Sequence, residues 1–156
     1  MNFKINDFFS KEEREKYCHN NIVTGVVIRT FFSEFSDNPK DKICILLGVD
    51  EENNQLGLLL INSSPPSWKQ NDNYKGSQYL IQSTNYNYLD HDSYVDCTKI
   101  WDSRKYYEIF KECCENKLEF LGEINKRDLI NIENILNISK FVSPKLKKRF
   151  LISYKN

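Results

Sequence analysis

The fold of this chain is decided by the stretch KICILLGV (42–49), DEENN (50–54) and QLGLLLIN (55–62). Two apolar runs rich in Ile, Leu and Val flank five polar residues. Short apolar runs bounded by turn residues are typical of strands, and two such runs around a short polar segment are typical of a β-hairpin. The stretch therefore predicts a buried strand over 42–49 and its hairpin partner over 55–62.

A second strand pattern precedes the hairpin. Residues 22–32 (IVTGVVIRTFF) are β-branched and aromatic almost throughout, which favours a long strand, and Gly25 suits a bulge or a sharp coil within it. Further upstream, Ser10 and Glu13 have the spacing of a capping box, which predicts a short helix over 11–17.

Strand patterns give way to helical ones after the hairpin. Strands are predicted over 77–84 and 94–101, and a short extended segment over 118–121. Helices are predicted over 103–115, with Ser103 as the cap, and over 125–138, and a last helix is predicted to start at Ser143–Pro144. Consecutive strands followed by helices predict an α+β fold with antiparallel pairing. The 156 residues fit one domain, mainly β over 22–101 and mainly helical over 103–150, whose strands curl into a small β-barrel.

Charge and cysteine usage restrict the class of protein. The 22 basic and 22 acidic residues cancel, so any nucleic acid must bind through a local patch. The five cysteines are odd in number and lack metal-ligand spacing, which predicts reduced, buried thiols. The charged N-terminal stretch and the short apolar runs predict neither a signal peptide nor a membrane span, so we expect a cytoplasmic protein.

Several polar residues are candidates for chemistry, each with a structural alternative. His91 lies between Asp90 and Asp92 and has the residue type of a general acid or base, although a polar loop histidine is ordinary. The carboxylates around it lack a recognised metal-ligand pattern, so no metal or other cofactor is predicted. Four tyrosines are candidates for stacking RNA bases, with filling of the core as the alternative: Tyr79, Tyr86, Tyr88 and Tyr94. Four basic residues of the tail are candidates for phosphate contacts, with a solvated helix face as the alternative: Lys145, Lys147, Lys148 and Arg149.

The second half of the chain resembles the closing part of the MazF/PemK-like toxins. In that family a strand of the form V-D-x-S-R-L is followed by I-G-x-L, an acidic helix start and a helix ending in a small polar residue. The matching segments here are VDCTKI (95–100), LGEI (121–124), Asp128–Leu129 and a helix ending near Ser139. Thr98 and Lys99 replace the family's Ser and Arg, and the helix over 103–115 is an insertion. More loosely, GVV (25–27), KICIL (42–46) and LLINSS (59–64) occupy the places of the first three family strands.

The resemblance implies a Src-homology-3-like barrel with appended and inserted helices, usually a homodimer held in check by a cognate antitoxin. It also implies metal-independent cleavage of single-stranded RNA by an Arg before the second strand and a Thr or Ser after the third. In this sequence, Lys40 or Lys42 occupies the position of the family's arginine, and Ser63 or Ser64 occupies the position of the hydroxyl residue. His91 is a further candidate for proton transfer. A cation stabilises charge that develops on the phosphorane while a hydroxyl or imidazole moves protons. Additional RNA contacts are expected from four side chains: Arg29, Lys40, Tyr86 and Tyr88.

Two other functions are open at this stage. Lysine offers a point charge without the planar fork of arginine, which favours a catalytically inactive barrel that binds protein or RNA. The cancelled charge and the inserted helix favour the same interpretation. A metal-dependent hydrolase is the third possibility, supported by the Asp/His cluster around His91 alone.

Overall fold

The computed structural model describes residues 9–33, 40–65, 74 and 76–152. These residues form six strands and four α-helices, together with a short 3-10 helix at Ser83–Asn85. In chain order the elements are α1 (Lys11–Asn21), β1 (Val26–Phe32), β2 (Lys40–Asp50), β3 (Gln55–Asn62), β4 (Gln78–Ile81), β5 (Ser93–Asp96), α2 (Tyr106–Cys114), β6 (Glu119–Glu123), α3 (Lys126–Ile138) and α4 (Pro144–Phe150).

The strands form one antiparallel sheet in the order β4-β5-β3-β2-β1-β6. The predicted hairpin is confirmed: β3 has the expected bounds, and β2 extends beyond its expected ends on both sides. The last strand, β6, returns to pair with the first. Strands β4 and β6 are the two edges, and no ladder joins them in the described part of the chain. The structure thus establishes a mixed α+β fold around an open antiparallel sheet.

Both faces of the sheet are buried, which explains why the hairpin is apolar at nearly every position. Successive side chains of a strand point to opposite faces. The α2 face carries the core around Ile28, Phe32, Cys44, Leu46, Leu58, Leu60 and Ile109. The α3 face carries the core around Val27, Ile45, Leu47, Leu59, Val95, Ile132, Leu136 and Phe150.

The predicted helix starts are confirmed for α1, α3 and α4. Ser10 and Glu13 form the capping box of α1, Asn125 caps α3, and Ser143 caps α4 ahead of Pro144. The predicted cap of α2 is wrong, because this helix begins at Tyr106 and Ser103 lies outside it.

Gly25 does not lie inside a strand as predicted. Helix α1 runs to Asn21, residues 22–25 form its end and a turn, and β1 begins only at Val26. Gly25 has φ +92°, a left-handed conformation that a residue without Cβ adopts most easily. Its N–H donates to the Leu46 carbonyl at 2.7 Å, so the turn is fastened to β2.

The prediction of five reduced thiols is wrong for Cys18 and Cys113, which form a disulfide between α1 and α2 with their Cα atoms 5.9 Å apart. The two residues are separated by 95 positions, a distance over which spacing gives no signal. Cys44, Cys97 and Cys114 are free thiols. Burial raises the pKa of Cys44 to about 12, so this thiol stays protonated and acts as an apolar side chain.

Among the described residues, no helix combines the length and apolar character that crossing a membrane requires.

Candidate functional site

The start of β2 and the end of β3 lie side by side at one end of the hairpin. Ile43 pairs with Ile61, which brings Lys42 next to Asn62, and the Lys42 ammonium donates a hydrogen bond to Asn62 Oδ1 at 2.9 Å. Ser63 and Ser64 follow Asn62 directly in the chain, and both are exposed. The lysine and the serines predicted from the sequence therefore share this end of the hairpin.

The Lys42 ammonium is held in a partly buried position between a like charge and an opposite charge. Burial is the main cause that lowers the pKa of Lys42, and Lys40 lowers this pKa further. The Asp96 carboxylate of β5 acts in the opposite direction and raises the pKa. We call Lys40, Lys42, Asn62 and Asp96, with Ser63 and Ser64 beside them, the Lys42 site.

Asp96 is a fixed part of this site. It is buried on β5, where its Oδ1 accepts hydrogen bonds from Gln78 Nε2 at 2.9 Å and from Thr98 N and Oγ1 at 3.0 and 2.6 Å. These three donors stabilise the ionised carboxylate. The Lys42 ammonium therefore lies near a carboxylate whose orientation is set by hydrogen bonds within the fold.

These charges predict opposite effects of two substitutions on the pKa of Lys42. Replacing Lys40 with alanine removes a repulsive charge and raises this pKa, whereas Asp96→Asn removes an attractive charge and lowers it. The titration of lysine ¹³Cε resonances by NMR measures both shifts. Lys145→Ala, which removes an exposed lysine of α4, is the matched control and leaves the Lys42 titration unchanged. Identical Lys42 titration curves in all variants would contradict the charge arrangement described above.

A second polar cluster surrounds the buried carboxylate of Asp128 in the first turn of α3. Tyr79 donates a hydrogen bond to Asp128 Oδ1 at 2.7 Å, and Tyr86 donates a short one to Oδ2. Tyr88 donates to the Glu123 carbonyl at 2.9 Å and packs against Gly122, where an added Cβ would lie 2.8 Å from its ring. We call Tyr79, Tyr86, Tyr88 and Asp128 the tyrosine seam, because they connect the β4 side of the sheet to β6.

Tyr86 does not present a ring for base stacking in this structure. Its side chain is 5% exposed, and its hydroxyl both donates to Asp128 and accepts from the Asn125 N–H at 3.1 Å. Burial, followed by the bond to the Asp128 carboxylate, raises the pKa of Tyr86. Tyr86 therefore belongs to the core of this structure, and its expected RNA contact stays a prediction. Tyr88 is half-buried and lines an open cleft of about 650 Å³ with residues 83–87 and 122–125.

The predicted RNA-binding residues lie on two faces of the sheet. Lys40 pairs with Phe32 and lies on the α2 face, as does the predicted catalytic Lys42, whereas Arg29 pairs with Ile43 and lies on the α3 face. The Arg29 guanidinium forms an exposed ion pair with Glu119 at 2.7 Å. The tyrosine seam also packs on the α3 face, so a single groove does not collect all the predicted contacts.

His91 is exposed in the loop before β5. Its Nδ1 lies 3.4 Å from Ser93 Oγ, while the neighbouring Asp92 accepts hydrogen bonds from Ser83 N and Oγ at 2.8 and 3.1 Å. In the described residues no hydrogen bond joins His91 to the Lys42 site. Nor does the described part of the chain hold a group of three or more His, Cys, Asp or Glu side chains arranged for a metal ion.

The basic tail is partly structural. Lys147 is buried and donates to the Asn137 and Ser139 carbonyls at 2.8 and 2.9 Å, which satisfies the end of α3. Arg149 forms ion pairs with Asp50 at 2.7 Å and Asp102 at 3.1 Å. Both cations are therefore engaged within the fold, and of the four basic residues of the tail, Lys145 and Lys148 are the exposed ones.

Sequence reasoning missed Asn62, Asp128 and the partners of Arg104. Arg104 is buried on the α2 face, where it pairs with Glu112 at 2.6 Å and donates a short hydrogen bond to the Phe31 carbonyl. Only Asn62 had a usable signal, because it ends an apolar strand next to the two predicted serines. Asp128 meets Tyr79 and Tyr86 across 49 and 42 positions of the chain, and Arg104 meets Phe31 across 73, whereas Arg104 and Glu112 are only 8 positions apart.

No protein-family model matches this sequence, and no curated protein matches it significantly. The likeness to the MazF/PemK-like toxins therefore stays a prediction from the residues quoted above. The fold and the Lys42 site define the chain as an α+β protein with a cationic, hydroxyl-bearing end of a buried hairpin.

Proposed function

We propose that this chain is a MazF/PemK-like endoribonuclease toxin that cleaves single-stranded RNA without a metal ion at the Lys42 site. The proposal rests on one observation: the contact between Lys42 and Asn62, directly beside the exposed hydroxyls of Ser63 and Ser64. A cation and a hydroxyl at one exposed edge are the groups that phosphodiester cleavage requires.

The proposed reaction uses the RNA's own 2′-hydroxyl. This oxygen loses its proton and attacks the adjacent phosphorus, the P–O5′ bond breaks, and the leaving 5′-oxygen takes up a proton. The products are a 2′,3′-cyclic phosphate and a 5′-hydroxyl. Lys42 stabilises the negative charge that develops on the phosphoryl oxygens, and Ser63 or Ser64 donates a hydrogen bond to them. Asn62 is the positioning residue, since it fixes the direction of the Lys42 ammonium.

Two features of the fold support the barrel that this proposal includes. The last strand lies beside the first, as happens when a sheet turns back on itself. In addition, Tyr79 of β4 donates a hydrogen bond to Asp128, which follows β6 in the chain, so a side chain of one edge strand contacts a residue close to the other. The proposal also includes a homodimer, a cognate antitoxin and single-stranded RNA of the cytoplasm as substrate.

The decisive experiment compares Lys42→Ala with wild-type protein on single-stranded RNA in the presence of EDTA. We expect the cleavage rate to fall by about 10²–10³-fold, the usual effect of removing one group that stabilises transition-state charge. Lys145→Ala, which removes an exposed lysine elsewhere, is the matched control and cleaves at the wild-type rate. Ser63→Ala and Ser64→Ala, made separately, identify the hydroxyl. A Lys42→Ala protein as active as wild type would refute the assignment of this site.

A catalytically inactive binding module is the second candidate. It is favoured by the state of Lys42, whose ammonium is partly buried and already bonded to Asn62. In that case Lys42→Ala weakens binding of a 2′-O-methyl oligonucleotide, measured by fluorescence anisotropy, while no variant and no wild-type preparation cuts RNA. If the wild-type protein cleaves RNA, that result is sufficient to decide for the enzyme.

A further inference from the structure

Helix α1 is attached to the rest of the domain by few contacts. Of its 11 residues, Lys11–Asn21, only Cys18 is buried. A charged helix of this length, with almost no apolar face, is marginally stable in isolation. Its docking on the domain therefore depends on the contacts that it makes with α2 and β6.

The polar contacts are weak or exposed. His19 Nδ1 lies 2.6 Å from the Tyr106 hydroxyl in an exposed hydrogen bond, and Arg14 Nη1 makes a long, partly buried hydrogen bond of 3.5 Å to the Cys114 carbonyl. The Tyr17 ring meets the Phe120 ring edge-on at 5.9 Å between centroids. Exposed hydrogen bonds of this kind contribute little net stability, because water competes for the same groups.

The covalent bond between Cys18 and Cys113 is the exception. Cys18 is 0% exposed and Cys113 is 2% exposed, so the bond lies beneath the helix that it fastens. A thiol must approach one of the two sulfurs before it can exchange with a disulfide. A reductant therefore reaches this bond only after α1 has moved away from α2.

We propose that the Cys18–Cys113 bond is a redox-sensitive clasp, which holds α1 on α2 and is itself protected from reduction by the docked helix. A dithiol reductant supplies the two electrons. One of its thiolates attacks a cysteine sulfur, which breaks the S–S bond, forms a mixed disulfide and releases the other cysteine. The second thiol of the reductant then attacks the mixed disulfide, which releases the remaining cysteine and leaves the reductant as a cyclic disulfide. Each cysteine leaves as a thiolate and takes up one proton. Once the bond is reduced, α1 stays connected through the turn at residues 22–25, and its undocking makes the α2 surface around Cys113 accessible.

This inference does not depend on the proposed function, because neither cysteine belongs to the Lys42 site. It does bear on the place where the protein works. A reducing cytoplasm keeps most thiols reduced and would favour the open clasp, whereas oxidising conditions would favour the docked helix.

Hydrogen exchange of the full chain, followed by mass spectrometry with and without a dithiol, tests the clasp. On reduction we expect the amides of α1 to exchange at least about tenfold faster, while those of β2 and β3 keep their protection. Cys18→Ser, measured without reductant, should reproduce the fast exchange of α1. Unchanged α1 exchange after complete reduction, or loss of protection throughout the sheet, would overturn the proposal.

Reduction kinetics test whether the docked helix protects the bond. Ser10→Ala removes the capping box of α1 and should speed reduction by a dithiol by about 2- to 30-fold, the population equivalent of losing one N-cap. Ser143→Ala removes the same kind of cap from α4 and is the matched control, with a reduction rate like that of wild type. Equal rates in all three proteins would show that α1 does not guard the bond.

Discussion

Replacement of Asp128 with alanine lowers the free energy of unfolding by about 3–5 kcal/mol. Asp128 is 4% exposed and accepts the hydroxyl hydrogen bonds of both Tyr79 and Tyr86. Hydrogen bonds to a charged group contribute about 1.5–3 kcal/mol each, and a buried hydroxyl without an acceptor adds a further penalty. The substitution removes the acceptor that Tyr79 of β4 and Tyr86 share in the first turn of α3.

Urea denaturation followed by circular dichroism measures this loss. Asp90→Ala removes an exposed carboxylate and is the matched control, with an expected change within about 0.5 kcal/mol. Asp128→Asn keeps an acceptor oxygen and falls between the control and the alanine variant. A loss below about 1 kcal/mol for Asp128→Ala would mean that the hydrogen bonds of the tyrosine seam contribute little to the stability of the fold.

Truncation of Phe150 to alanine has an effect of similar size, about 3–5 kcal/mol, as expected for a fully buried phenylalanine. Phe150 is 1% exposed and occupies a notch formed by two glycines of the hairpin. A Cβ on Gly57 would lie 2.6 Å from the Phe150 ring, and a Cβ on Gly48 would lie 2.4 Å from the Phe150 carbonyl oxygen. Any side chain on either glycine would collide with this residue, so helix α4 and the hairpin fit each other closely.

The same denaturation experiment measures the Phe150→Ala variant. Ile152→Ala, two residues further along and 56% exposed, is the control and should be nearly neutral. Gly57→Ala should destabilise wild type and do so much less when Phe150 is already alanine, because the colliding ring is then gone. Additive effects of these two substitutions would contradict the notch.

Local signals in the sequence predicted the hairpin, the strand regions and three of the four helix starts. These features depend on residues that are close together in the chain. The strands follow from runs of apolar residues bounded by polar ones, and the helix starts follow from a Ser or Asn that caps the first turn. The start of α2 was missed because the residues before it pair with β3: the Leu56 N–H donates to the Arg104 carbonyl at 2.9 Å, and Lys105 forms an isolated bridge with Gln55. The disulfide, the tyrosine seam and the ion pairs of Arg149 join distant segments, and no spacing rule reveals them.

The candidate site shows the same division. The hairpin itself was predicted, and with it the approach of Lys42 to the end of β3. The hydrogen-bond partner of Lys42 was not predicted, because it depends on a shift of register within the hairpin. The pairing of Asp50 with Gln55, continued without interruption, would bring Lys42 opposite Ser63, but the register shifts between Leu46 and Gly48 and brings it opposite Asn62. A bulge of this kind arises from packing around the strand and is not encoded in its apolar pattern.

The Cys18–Cys113 bond turns most of the chain into a covalent ring, which contains β1 to β5 and all of α2 except Cys114. A protease that cuts any one peptide bond between the two cysteines opens this ring without releasing a fragment. The nicked protein therefore migrates as one species on a gel run without reductant and separates into two pieces when reductant is added. Its two halves remain tethered at high local concentration, so a single cut within the ring leaves the sheet able to reassemble.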